Sequence, residues 1–97
     1  MNCSLAQTLD IVGERWTLLI LRDAFLGARR FSQFQENLGI ARNILTRRLT
    51  RLVEEAIFEK TSVTPGGHAE YRLTKKGLAL QPILLSMVHW GDAFKAN

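Results

Sequence analysis

The segment Arg42-Asn43-Ile44-Leu45-Thr46-Arg47-Arg48-Leu49-Thr50-Arg51 concentrates side chains that can do recognition chemistry. A guanidinium presents a planar fork of donors that matches two acceptors on a guanine edge, and an asparagine amide pairs with adenine in the same bidentate way. A threonine can bond a phosphate or touch a thymine methyl. Turned as an α-helix at about 100° per residue, the segment puts Leu45, Leu49, Leu52 and Ala56 on one side, with Val53 close by. The opposite side carries Asn43, Arg47, Thr50 and Arg51, with Thr46 on one flank. Arg42 and Arg48 fall near the edges of the apolar side, where long stems still reach outward. No carboxylate enters the sequence of this helix until Glu54. A helix of this kind fits the major groove of a duplex and no other groove.

The plain alternative is a solvated helix surface, and the helix start argues against it. Arg42 in the first turn opposes the helix dipole by about 0.3–1 kcal/mol, and Ala41 caps worse than serine by about 1 kcal/mol. A locally poor, basic start makes sense where a phosphate sits on the free amides. Arg29 and Arg30 read equally as phosphate contacts and as surface charge on a short extended piece. Gly66 and Gly67 allow a tight hairpin tip, and Lys60, His68 and Arg72 add donors around it; for His68 a plain surface role is an equal reading. The DNA-contacting candidates on the helices and the approach to them are Arg30, Ser32, Arg42, Asn43, Thr46, Arg47, Thr50 and Arg51. Those on the hairpin are Gly67, His68 and Arg72.

The elements that position these groups are legible from local signals. Ser4 with Gln7 forms a possible capping box for a first helix through Val12, ended by Gly13. A second helix, Glu14 to Leu26, is apolar nearly all round and so belongs in the middle of a fold. Arg29-Arg30-Phe31 is extended. Ser32 with Gln35 is a further capping box for a short helix through Leu38, stopped by Gly39. The fourth helix runs from Arg42 to about Ala56. A short helix, a glycine-containing turn and a longer helix make a helix-turn-helix over about 33–56. Residues 57–63 and 70–73 form a β-hairpin around Thr64-Pro65-Gly66-Gly67. Thr74 caps a last helix reaching Phe94, and Pro82 predicts a late start or a kink in it. The fold class is therefore mainly α with one β-hairpin, a winged helix-turn-helix in a single domain over 1–97, with the wing at about 57–73.

Bulk properties agree. The chain has 97 residues, 13 Lys or Arg against 9 Asp or Glu, and a net charge of +4. Such a balance favours a polyanionic partner. A chain this short buries only about 60–65% of its unfolded surface, so a partner chain would help. Cys3 stands alone, and it makes no metal spacing with His68 and His89. No paired carboxylates, nucleophile–base set or phosphate loop appears, so neither an enzyme nor a cofactor is expected. The N-terminus lacks a signal peptide's basic start and apolar run, and no apolar run is long enough to span a membrane, which reads as cytoplasmic.

Taken together, Cys3, Thr8-Leu9-Asp10 and the block Gly13-Glu14-Arg15-Trp16-Thr17-Leu18-Leu19-Ile20-Leu21-Arg22 resemble the opening of HxlR-type bacterial transcription regulators, in the MarR-like superfamily. Arg29-Arg30-Phe31-Ser32-Gln33-Phe34, Ile44-Leu45-Thr46-Arg47-Arg48-Leu49, Glu70-Tyr71-Arg72-Leu73-Thr74-Lys75-Lys76-Gly77 and His89-Trp90-Gly91 resemble its later blocks, in order along nearly the whole chain. Two departures stand out: Ala41 replaces a frequent serine cap, and Lys75-Lys76 replace a more acidic helix start. The resemblance implies a homodimer built from the first and last helices, about 4–12 and 75–94. It also implies a recognition helix in the major groove, and a wing at about 63–69 on the adjacent backbone or minor groove. Some members sense electrophiles or oxidants through a cysteine to which Cys3 corresponds. Cys3 reads either as such a sensor or as a small residue without redox role. The expected function is a sequence-specific regulator binding an inverted repeat in double-stranded DNA, open to a small-molecule or oxidant effector. The competing reading is a winged-helix protein-interaction module without DNA binding, which would need an apolar or acidic free face on the fourth helix.

Overall fold

The computed structural model describes residues 3–62 and 67–95. The element order is α1 (Ser4–Val12), α2 (Thr17–Phe25), α3 (Phe31–Leu38), α4 (Arg42–Glu54), β1 (Phe58–Ser62), β2 (Ala69–Leu73), α5 (Lys75–Leu78) and α6 (Gln81–Phe94). Four helices, a hairpin and a closing helix pair surround one core, in which Ile20, Leu21, Phe34, Leu45, Leu49, Leu52 and Phe58 are fully buried. This is the winged helix-turn-helix arrangement expected from the sequence. Of the anticipated turn Thr64-Pro65-Gly66-Gly67-His68, the first three residues lie outside the described residues, as does Val63 at the end of the expected first strand.

The helix-turn-helix is set by α3, Gly39 and α4. Gly39 takes the left-handed conformation, φ 63°, and its N–H closes on the Gln35 carbonyl at 2.9 Å. That backbone state is open to glycine and costly for most other residues. It turns the chain sharply, so that buried Ile40 anchors the turn before α4 begins. Within α4, Leu45, Leu49 and Leu52 enter the core at helical spacing. Strands β1 and β2 pair antiparallel in the register Phe58↔Leu73 to Ser62↔Ala69. The extended piece before α3 also joins: Tyr71 N donates to the Arg29 carbonyl at 2.7 Å.

Several boundaries differ from the sequence reading. Helix α1 has Cys3 rather than Ser4 at its N-cap position, and no side chain caps it. Helix α2 starts at Thr17, three residues late, because Gly13 to Trp16 form the turn that reverses the chain. The Ser32–Gln35 capping box is absent. Gln33 takes that role, its Oε1 accepting from Arg29 N at 2.8 Å and Arg30 N at 3.0 Å. Helix α4 ends at Glu54, and Ala56 is exposed with φ 58° rather than packed in the core. Its last carbonyls are met from the far side of the hairpin: Thr74 Oγ1 donates to the Ala56 carbonyl at 2.5 Å and Lys76 Nζ to the Glu55 carbonyl at 2.6 Å. Lys76, at a position that departs from the family pattern, thus serves as a C-terminal cap for α4. Thr74 caps the short α5 as expected, accepting from Gly77 N at 3.1 Å, and Pro82 sits in the first turn of a separate α6.

Candidate nucleic-acid interface

The outward face of α4 is built by the three leucines that hold its other side in the core. Asn43, Thr46, Arg47 and Thr50 are all exposed on it. Thr46 Oγ1 donates to the Arg42 carbonyl at 2.9 Å, which fixes its rotamer and leaves the methyl and the oxygen lone pairs for a partner. Arg47 enters no ion pair among the described residues and stands free for the fork contacts that a guanine edge offers.

Arg51 is placed differently from the helical rotation, whereas Arg48 is half-buried at the edge of the apolar side, as the rotation has it. Arg51 turns toward α1, where Nη2 reaches Asp10 Oδ2 at 3.1 Å and Nε reaches Glu55 Oε2 at 3.2 Å. The Asp10 hydrogen bond, reinforced by Glu55 and opposed by slight desolvation, holds the guanidinium above its ordinary pKa. Arg48 Nε makes an ion pair with Glu14 without hydrogen-bond alignment. Two of the carboxylates that neutralise this flank, Asp10 and Glu14, come from α1 and the turn after it, so rotation of α4 alone reveals only Glu55 at its own end.

A second group surrounds a cleft of about 370 Å³ between the start of α3, the start of α4 and the hairpin. Arg30, Ser32, Arg42 and His68 line it, so four of the expected contacts from three separate elements meet there. Lys60, which the sequence places among the hairpin donors, lines it with Phe31, Ala69 and Tyr71; the DNA-contacting set read from the sequence contains none of these four. The signal for Lys60 is strand alternation: it shares a face with Phe58 and pairs across the hairpin with Tyr71. Gly67 is exposed next to His68 at the start of the return strand. Arg72 points outward from β2, with Nη2 held by Glu70 Oε1 at 2.8 Å. Arg29 faces away from this surface, its Nη1 donating to the carbonyls of Ala24 and Ala28, each at 2.8 Å. It therefore closes the end of α2 instead of waiting for a phosphate.

On the other side of the molecule, Leu5 and Leu9 of α1 and Ile83, Met87, Trp90 and Phe94 of α6 are exposed, and α6 has no buried residue. An open groove of about 660 Å³ runs between the two helices. Cys3 is exposed at the start of α1. No helix among the described residues is long and apolar enough to cross a membrane.

An exposed polar helix after a tight turn, flanked by a β-hairpin, defines a winged helix-turn-helix protein. The sequence model of the HxlR-like helix-turn-helix family matches residues 11–97, and the chain belongs to that family. An uncharacterized HTH-type transcriptional regulator of Mycobacterium tuberculosis strain H37Rv is 48% identical over 93 residues, 94% of this chain and 58% of that protein. The chain thus spans under two thirds of the length of this curated relative. The crystal structure of the transcription factor candidate PA1607 superposes with a TM-score of 0.92 at 46% identity, covering 97% of this chain and 66% of that one. The reduced form of the transcriptional regulator YodB from Bacillus subtilis gives a TM-score of 0.84 at 31% identity, covering 98% and 96%.

Proposed function

We propose that the chain is the DNA-binding part of a dimeric transcriptional regulator that reads an inverted repeat. The observation that carries this reading is the exposed face of α4, where Asn43, Thr46, Arg47 and Thr50 stand without a carboxylate among them. On this reading α4 enters the major groove with those four residues at base edges, and the hairpin lies along the adjacent backbone or minor groove. A protein-interaction module would present apolar or acidic groups along that face; here Glu54, at the last turn of α4, is the one acidic residue on it, and the preceding turns carry amide, hydroxyl and guanidinium groups. Two copies would meet through α1 and α6, which supports half-sites centred about one helical turn, ~34–36 Å, apart.

Selection from a random duplex library tests this directly. The expected product is a palindromic sequence whose binding weakens steeply with salt. Recovery of no enriched sequence, with a salt slope near zero, refutes DNA recognition. Regulation through Cys3 is the finer part of the proposal. It is supported by the exposure of the thiol at the start of a helix of the proposed dimer surface, and by the likeness to YodB, a regulator solved in a reduced form. An oxidant or electrophile acting there would change DNA affinity.

A further inference from the structure

We infer that the cleft between α3, α4 and the hairpin binds a single backbone phosphodiester, gripped jointly by Arg42 and Lys60 and positioned by the rings of Phe31 and Tyr71. The inference rests on the DNA-binding reading above and assigns that reading one shared phosphate subsite.

Two aromatic rings hold the two cations. The Arg42 guanidinium carbon lies 4.9 Å from the Phe31 ring centroid, and Lys60 Nζ lies 5.6 Å from that of Tyr71. A ring face attracts a cation through its quadrupole and takes none of its N–H donors. The cation is therefore oriented yet keeps its full charge and hydrogen-bonding capacity for an anion. Four arginines outside this cleft are treated in the opposite way. Arg22, Arg48, Arg51 and Arg72 each sit on a carboxylate, from Asp23, Glu14, Asp10 and Glu55, and Glu70 respectively. Arg15, Arg29 and Arg47 also lack a carboxylate outside the cleft, but within it none of Arg30, Arg42 and Lys60 is paired with one among the described residues.

The cleft is lined by Arg30, Arg42, Lys60 and His68, and no carboxylate lines it. Its volume, about 370 Å³, admits a phosphate with its water. A phosphodiester carries one charge and two free oxygens, which one guanidinium and one ammonium can each approach. Because Phe31 opens α3, Arg42 opens α4 and Lys60 and Tyr71 belong to the hairpin, one phosphate would tie the recognition helix to the wing. Such a contact fixes register on the duplex and carries no base information.

The test uses the full chain and a labelled duplex of random sequence, with binding followed by fluorescence anisotropy over a salt series. Each phosphate neutralised contributes about 0.9 to the slope of log K against log salt. The double variant Arg42→Gln/Lys60→Gln is expected to lower the slope by about 0.9 in total, with each single variant lowering it by less, because either cation still meets the phosphate. Phe31→Leu should weaken binding severalfold at an unchanged melting temperature while Phe31→Tyr restores it; a loss of binding that tracks a lowered melting temperature would assign Phe31 to packing and overturn its part in the site. Thermal melts confirm that the variants fold. Single losses near 0.9 that add to about 1.8 would mean two separate phosphates, and an unchanged slope in the double variant would mean that the cleft is off the DNA. Either result overturns the shared site and leaves DNA binding standing. A slope near zero in the unmodified chain overturns both.

Discussion

Trp90→Ala should take the proposed dimer apart while leaving the protomer folded. Trp90 lies on α6 in the stripe Ile83, Met87, Trp90, Phe94, and it is 60% exposed in the isolated chain. An indole side chain offers on the order of 200 Å², so roughly 120 Å² of Trp90 is available to a partner. At about 25 cal/mol per Å² that is ~3 kcal/mol for each chain and ~6 kcal/mol for a symmetric pair. If the partner covers half of it, the loss is ~3 kcal/mol, or about a hundredfold in the dimer dissociation constant. The protomer keeps its fold because no residue of α6 is buried within it. Sedimentation velocity over a dilution series reads the dissociation constant, and far-ultraviolet circular dichroism reads the helices. An unchanged dissociation constant would refute the placement of Trp90 at the interface. An unmodified chain that stays monomeric at every concentration would refute the dimer itself.

The remaining predictions concern the DNA face, its flank, the core and the thiol. Arg47→Ala should cost about 1–3 kcal/mol of specific binding and relax the preference at one base position, as read by repeating the selection with the variant; an unaltered preference removes Arg47 from base readout. Asp10→Asn removes the first partner of Arg51, so non-specific affinity at low salt should rise while the selected sequence stays the same. Gly77→Ala should destabilise by about 1–3 kcal/mol, seen in thermal melts, since its new Cβ would run into the Ile57 carbonyl. For Cys3→Ser, DNA affinity should no longer respond to an oxidant such as diamide, whereas an equal response in variant and parent dismisses the sensor.

The recognition helix was readable because its evidence is local. Leu45, Leu49 and Leu52 repeat at helical spacing, and the burial of all three forces Asn43, Arg47 and Thr50 outward. The turn before it was equally legible, since Gly39 supplies a conformation that other residues resist. Capping was read less well. Ser4 and Ser32 are chemically apt caps, yet at Ser32 the side chain of Gln33 takes both free amides instead. The fate of Arg51 depends on Asp10, forty-one positions earlier in the chain, and periodicity within one helix carries no information about a neighbour. The same limit hid the cleft: Phe31, Arg42, Lys60 and Tyr71 belong to four elements and meet only after folding.

The ion pairs and the core play different parts in setting α4, and their magnitudes separate them. Arg51–Asp10 and Arg48–Glu14 both tie α4 to α1 and the turn after it. Pairs of this exposed kind contribute about 0–1 kcal/mol each, whereas truncating a buried leucine such as Leu49 to alanine typically costs about 2–5 kcal/mol. The orientation of α4 is therefore decided by Leu45, Leu49 and Leu52, and the ion pairs are too weak to steer it. What the pairs do control is charge. With Arg48 and Arg51 neutralised, Arg42, Arg47 and Lys60 remain as cations without an ion-pair partner among the described residues on α4 and the adjoining hairpin. A surface with every cation free would hold any duplex by counterion release. On the proposed reading, confining free charge to the helix start, its outward face and the cleft restrains that sequence-independent attraction, so that contacts from Asn43 and Arg47 would form a larger share of the binding energy.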